Sequence, residues 1–227
     1  MHLKSAWIQV VLALSVVGCQ MSQSLSPLHM ENIPIKLSIQ NDPTIDRMIE
    51  PYKSDLQQSM NRIVGFCPKF MEKQKPTSQL GNFMANAVEY TAQKAGFDVD
   101  FCILNYGSIR STLDSGDITI GELFELMPFE NKITILMVSP KMVVQIQSII
   151  QQKGGEPTST SFNDIHLNNN DTANYLIATS DYVANGGDGY TFLEEAEKRW
   201  DIPIKVRDGI IKYTEAFNPI PLTTDSK

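Results

Sequence analysis

The chain has 227 residues, with 19 Lys and Arg against 26 Asp and Glu, a formal net charge of −7. That balance argues against a nucleic-acid partner and against a polyphosphate held by charge alone, while one or two placed arginines suffice for a small anion. Three cysteines and three histidines, with no HxxxH, GNH or CxxC and a lone DIH at 164–166, give no transition-metal cluster, so neither a metal nor another cofactor is expected on this chain.

Lys4 and the apolar run AWIQVVLALSVVG, too short to span a bilayer, read as an export signal. The run ends in VVGC (16–19), which resembles the signal of a bacterial lipoprotein. That resemblance implies removal of residues 1–18, a lipidated Cys19 and an envelope location, in the periplasm or at the outer membrane. An ordinary secretory signal cut nearby is the alternative. Residues 19–39 read as a tether, polar with Ser and Pro and without a period.

The remainder suits one domain with a proper core. TIDRMIEPYKSDLQQSMNRI (44–63) predicts an amphipathic helix capped by Thr44, with Pro51 near its start or kinking it. VGFCPKFM (64–71) predicts an edge strand. SQLGNFMANAVEYTAQKAG (78–96) is the clearest helix, capped by Ser78, with Leu80, Phe83, Met84, Ala87, Val88 and Thr91 on one face and Gly96 at its end. VDFCIL (99–104) predicts a buried strand. ITIGELFELM (118–127) reads as a strand end or a short helix, and KITILMV (132–138) as a strand. SPKMVVQIQSIIQQKGG (139–155) opens a helix with Ser139 as cap and Pro140 at the first helical position. A polar loop at 156–174 follows, then a buried strand, YLIATS (175–180). TFLEEAEKRW (191–200) and RDGIIKYTEAF (207–217) predict two helices. Strands and helices alternate without internal repeat, so the expected class is mixed α/β. Cys67 and Cys102 lie in apolar runs and read as core thiols, with a bridge left open in an exported chain.

Between the last strand and the helices stands DYVANGGDGY (181–190), three glycines around Asp188. Glycines there permit φ > 0 and close approach of another backbone or a ligand. A turn in which Asp188 caps backbone amides is the plainer reading.

Four stretches decide between the two: LGN (80–82) opening a helix, NYGSIR (105–110), PFEN (128–131) and ATSDYVANGGDGY (178–190). In order and spacing they resemble the C-terminal domain of the 5′-nucleotidase family, over residues 40–217, leaving 218–227 as a tail. The resemblance implies a four-layer α/β/β/α fold that binds the nucleoside part of a nucleotide. Catalysis in that family belongs to a separate metallophosphatase domain with two metals, which these motifs do not include. It also implies site roles. Phe129 and Tyr182 would stack on the base, Asp188 would accept from the ribose hydroxyls, and Asn105 and Arg110 would contact the base or ribose and the phosphate side. Asn131 would bond the base edge.

Each role has a structural alternative. Phe129 is otherwise core, Tyr190 is an equally available ring, Arg110 is otherwise paired with Asp114, and Asn105 and Asn131 otherwise cap turns. Two departures stand out: Tyr106 and Ser108 replace glycines of the family loop, which makes that loop bulkier, and Pro76 stands where several nucleotidases have an arginine, which weakens the phosphate grip. The expected function is the nucleoside- or nucleotide-binding half of a 5′-nucleotidase-like hydrolase in nucleotide catabolism, partnered by a separate metallophosphatase chain. The alternatives are a stand-alone binding lipoprotein and a scaffold that has lost its ligand.

Overall fold

The computed structural model describes residues 40–167 and 172–222. The expected signal, the Cys19 lipidation site, the tether and the end of the tail lie outside the described residues. Two units are distinguished, one ending at Asp46 and one running from Arg47 onward. Of the first, only residues 40–46 are described, and they carry the start of helix α1 (Pro43–Met60). The cap is Asp42 rather than Thr44: its carboxylate accepts from the Thr44 backbone N–H at 2.7 Å. Pro51 sits inside the helix, and no α1 residue is buried.

The rest alternates strand and helix. In chain order come β1 (Ile63–Cys67), α2 (Gln79–Lys94), β2 (Phe101–Cys102), β3 (Gly116–Thr119) and α3 (Ile120–Leu126). Then follow β4 (Lys132–Val138), α4 (Pro140–Gln152), β5 (Tyr175–Ser180), α5 (Asp181–Ala184), β6 (Lys198–Lys205) and α6 (Val206–Ala216). The class is mixed α/β, as the alternation implied. Local caps set the helix starts: Ser78 Oγ accepts from Gly81 N and Ser139 Oγ from Met142 N, and Thr119 with Glu122 closes a reciprocal capping box on α3.

Strands β1 and β3 form an antiparallel ribbon, and the main sheet runs β2-β5-β4-β6. Alternation along its strands splits the core in two. Cys102, Leu104, Ile133, Ile135 and Ala178 face α2, α6 and β1. Phe101, Ile103, Leu136, Val138 and Ile177 face α4. Cys67 and Cys102 are both buried and free, and burial pushes both thiol pKa values up.

One predicted helix is not there. Residues 191–200 are a 3₁₀ turn, Thr191–Glu195, followed by the start of β6. Thr191 near the start suggested a helix, but KRWDIPIK alternates: Ile202 is buried and Trp200 and Ile204 are half-buried, while Arg199, Asp201 and Pro203 are exposed. The proline is tolerated because β6 is an edge strand.

Topology then decides which loops meet. β2 runs parallel to β5, with Cys102 opposite Ala178. β4 runs antiparallel to β5, with Ile133 opposite Ser180. The segment after β2, the segment before β4 and the segment after β5 therefore emerge at one end of the sheet. These are NYGSIR, PFEN and DYVANGGDGY.

Candidate functional site

At that end of the sheet a cavity of about 290 Å³ opens, lined by Asn105, Gly107, Ser108, Phe129, Asn131, Tyr182 and Asp188. Five of the six residues expected at the site are among them. A larger groove of about 660 Å³, with Gln74, Asn82, Asn86 and Asn163 in its wall, contains none of them.

Asp188 is the hub. Its Oδ2 accepts from Asn105 Nδ2 at 2.8 Å and its Oδ1 from the Tyr182 hydroxyl at 3.0 Å. Its backbone φ of 54° is the single positive value at a non-glycine among the described residues, a conformation kept only where the surroundings impose it. Gly189 beside it has φ 90°. Gly187 serves proximity: a Cβ there would lie 2.5 Å from the Tyr182 carbonyl oxygen and 2.6 Å from its ring. The glycines thus let the loop turn back until the Tyr182 phenol and the Asp188 carboxylate meet. That hydrogen bond pushes the Tyr182 pKa above the ordinary phenol range.

The alternatives divide on geometry. Phe129 is 40 % exposed, so it is not core, and Tyr182 is 44 % exposed. Tyr190 is fully buried and packs with Phe192 at 6.2 Å between ring centres, so it is not an available ring. The side chain of Asn105 does not cap the following turn, Tyr106–Ser108; it reaches Asp188 instead. Asn131 donates to Asp181 Oδ1 at 2.7 Å. Arg110 is exposed, lies outside the cavity lining, and forms no ion pair with Asp114 among the described residues. Its guanidinium carbon lies 5.9 Å from the Phe129 ring centre, within reach of a cation–π contact.

Two groups of residues escaped the sequence reading. Arg207, 3 % exposed at the start of α6, donates to the carbonyls of Met127 at 3.2 Å and Phe129 at 3.4 Å. It also donates to Glu130 Oε1 at 2.6 Å and lies 3.8 Å from the Phe124 ring centre. It pins the segment that presents Phe129. With Lys205 it draws the Glu130 pKa down to about 2, the Arg207 hydrogen bond contributing most. The second group is cationic. Lys153 Nζ bonds Glu156 Oε1 at 2.7 Å and sits 4.0 Å from Asp188 Oδ2, and Lys73 and Lys75 both lie against Tyr106. A lysine in a loop carries no local signal, so only the fold could gather these.

Among the described residues no group of three or more His, Cys, Asp or Glu is placed to hold a metal ion. No helix among them is long and apolar enough to cross a membrane.

The family model for the 5′-nucleotidase C-terminal domain matches residues 59–164. The trifunctional nucleotide phosphoesterase protein YfkN of Bacillus subtilis is 27 % identical over 204 residues, 75 % of this chain and 14 % of that protein. An apyrase of Tabanus yao is 25 % identical over 188 residues, 65 % of this chain and 34 % of the relative. Among solved structures, the 5′-nucleotidase precursor of Thermus thermophilus superposes with a TM-score of 0.67 at 18 % identity, over 80 % of this chain and 42 % of that one. At that identity the last likeness concerns the fold. The chain spans less than half the length of each of these proteins.

Proposed function

We propose that this chain, whose residues 59–164 belong to the 5′-nucleotidase C-terminal domain family, is the nucleoside- or nucleotide-binding half of a 5′-nucleotidase-like hydrolase. Hydrolysis would be carried out with a separate metallophosphatase chain in the cell envelope, this chain being tethered there through Cys19. One observation carries the binding reading. Two exposed aromatic rings, Phe129 and Tyr182, stand on a single cavity whose wall also includes Asn105, Asn131 and the strained Asp188. Exposed rings flanking a gap offer two π-faces to a flat heterocycle. A carboxylate held by Asn105 and Tyr182 is a ready acceptor for paired ribose hydroxyls. The binding half would supply position, presenting the scissile phosphate to metals held by its partner.

Calorimetry with adenosine and uridine tests the pocket. Removing one ring, in Phe129→Ala or Tyr182→Ala, is expected to cost about 1–3 kcal/mol of binding, the scale of base–aromatic stacking. Unchanged affinity in both variants refutes the clamp. The half-enzyme reading has its own test. A metallophosphatase exported to the same compartment should co-purify with the chain and turn over nucleotides faster in its presence, and the gain should require Asp188 and Arg110. If the two neither associate nor alter each other's kinetics while the nucleoside still binds, the chain is a stand-alone binding lipoprotein.

A further inference from the structure

Where α4 ends, Lys153 and Glu156 form an ion pair, Nζ to Oε1 at 2.7 Å. Neither residue lines the cavity, yet each touches a loop that does. Glu156 Oε2 accepts the backbone N–H of Tyr106, the residue next to Asn105. Lys153 Nζ stands 4.0 Å from Asp188 Oδ2, too far for a hydrogen bond and near enough to act as a charge. The pair thus bridges the two loops whose side chains Asn105 and Asp188 bond each other at 2.8 Å across 83 positions of chain.

The bridge is itself anchored. The Lys153 N–H still bonds the Ile149 carbonyl at 2.9 Å, and the Lys153 carbonyl accepts from the Lys75 ammonium. The Lys153 ammonium lies 5.2 Å from the centre of the buried Tyr190 ring, a cation–π contact. Glu156 is only 5 % exposed, so its charge has to be paired and hydrogen-bonded where it stands. This is a built junction, unlike a solvated surface pair.

A carboxylate needs such a frame. The terminal torsion of an aspartate is broad, so the plane of its carboxylate is set by its partners. Asp188 has Asn105 at one oxygen and Tyr182 at the other. Tyr182 is exposed, whereas Asn105 is buried and sits on a loop that Glu156 grips. Two neighbouring hydroxyls need both carboxylate oxygens at once, while a single hydroxyl tolerates a tilt. The orientation of Asp188 is therefore worth more to a ribose than to a deoxyribose.

We infer that Lys153 and Glu156 are positioning residues that set the sugar selectivity of the cavity, holding Asp188 and Asn105 in the arrangement that engages both hydroxyls of a ribose. The inference rests on the binding reading above and goes further. It makes the preferred ligand a ribonucleoside or its nucleotide over the 2′-deoxy counterpart, and it assigns that preference to two residues outside the cavity lining. They act through Asp188 and Asn105, by charge and by the grip on the Tyr106 N–H.

The experiment is calorimetry on the full chain with adenosine and 2′-deoxyadenosine, paired with urea denaturation of each variant. The quantity read is the ratio of the two affinities within one protein, which a loss of folded material does not mimic. The parent should favour adenosine by about tenfold or more, the scale of one hydrogen bond to a charged acceptor. In Lys153→Met and in Glu156→Gln the ratio should fall to about two, with 2′-deoxyadenosine bound nearly as in the parent. Lys153→Arg, which keeps the charge, should retain the preference. Lys153→Met also strands the buried Glu156 charge and should lose stability. The Lys153→Met/Glu156→Gln double variant removes both charges and should regain stability while the ratio stays low. If the ratio returns together with stability, the pair serves only the fold and the inference fails. It fails too if the ratio survives every variant, or if both ligands weaken equally. If the parent binds both nucleosides alike, there is no sugar selectivity to set, and the inference is refuted while the nucleoside cavity stands. If neither nucleoside binds, the reading of the cavity itself falls, and this one with it.

Discussion

The two rings of the cavity are held by opposite means. The segment carrying Phe129 is fixed from behind by a charge, the buried Arg207, which gathers the carbonyls of Met127 and Phe129 and the carboxylate of Glu130. The segment carrying Tyr182 is fixed by backbone shape. A glycine without a side chain lets the loop lie against the ring, and an aspartate in a left-handed conformation reaches the phenol. An ion-centred support fails when one group is removed, because polar atoms buried around it lose their partner. A conformational support fails when one group is added, because the space does not exist. The two sides of one pocket should therefore respond to different classes of substitution.

The largest effect is expected at Arg207. Arg207→Met keeps much of the bulk but leaves the buried carbonyl of Met127 unsatisfied and frees Glu130. The expected loss is about 2–4 kcal/mol in urea denaturation, with nucleoside affinity falling as Phe129 loses its support. A variant as stable as the parent and equally competent in binding would show that the charge is not the support. Next comes Gly187→Ala. Its Cβ would stand 2.5 Å from the Tyr182 carbonyl oxygen, an overpacking worth about 1–3 kcal/mol, and the displaced ring should lower affinity. Gly189→Ala is the matched control. Nothing lies within 4 Å of a Cβ there, so only the φ of 90° opposes it, at about 1–2 kcal/mol of backbone strain, and binding should survive. If Gly189→Ala damages binding as much as Gly187→Ala, the glycines act through flexibility and not through close approach.

How much of this was legible in the sequence follows from the range of the interactions. Ser78, Ser139 and Pro140 announced their helices because a cap acts within three residues. KITILMV announced β4 because its residues are buried almost throughout. The stretch 191–200 was misread because Thr191, Glu194 and Glu195 have local helix character, while the partner that makes 198–205 a strand is β4, some 60 residues earlier in the chain. The three loops of the cavity were legible as motifs, and topology brings them to one end of the sheet. Which of Tyr182 and Tyr190 is available was not legible, because burial of Tyr190 is decided by tertiary packing. Nor were Arg207, which grips a carboxylate 77 positions away, and the lysines gathered on Tyr106.

The smallest predicted effect separates the two sides by pH. The folded-state pKa of Glu130 is depressed from 4.5 to about 2, first by the hydrogen bond from Arg207 and then by that from Lys205. A depressed carboxylate contributes stability that is present above its unfolded value and lost as pH falls toward about 2. The Tyr182 pKa is raised, first by its hydrogen bond to Asp188 and then by the charge of that carboxylate. A raised phenol contributes stability that is present below its unfolded value near 10 and lost as pH rises through the folded one. Acid should thus loosen the Phe129 side and alkali the Tyr182 side, with a flat interval between. Both groups are largely exposed, so the effects are modest and diminish with salt. The check is nucleoside affinity measured from pH 2 to pH 11 in the parent, in Glu130→Gln and in Tyr182→Phe. Glu130→Gln should flatten the acid limb and leave the alkaline limb unchanged, and Tyr182→Phe should do the reverse, at a cost of about 0.5–1.5 kcal/mol in binding for the lost hydrogen bond. If either substitution flattens both limbs, the two supports are coupled through the cavity, and the division between a charge-held and a shape-held ring does not describe this protein.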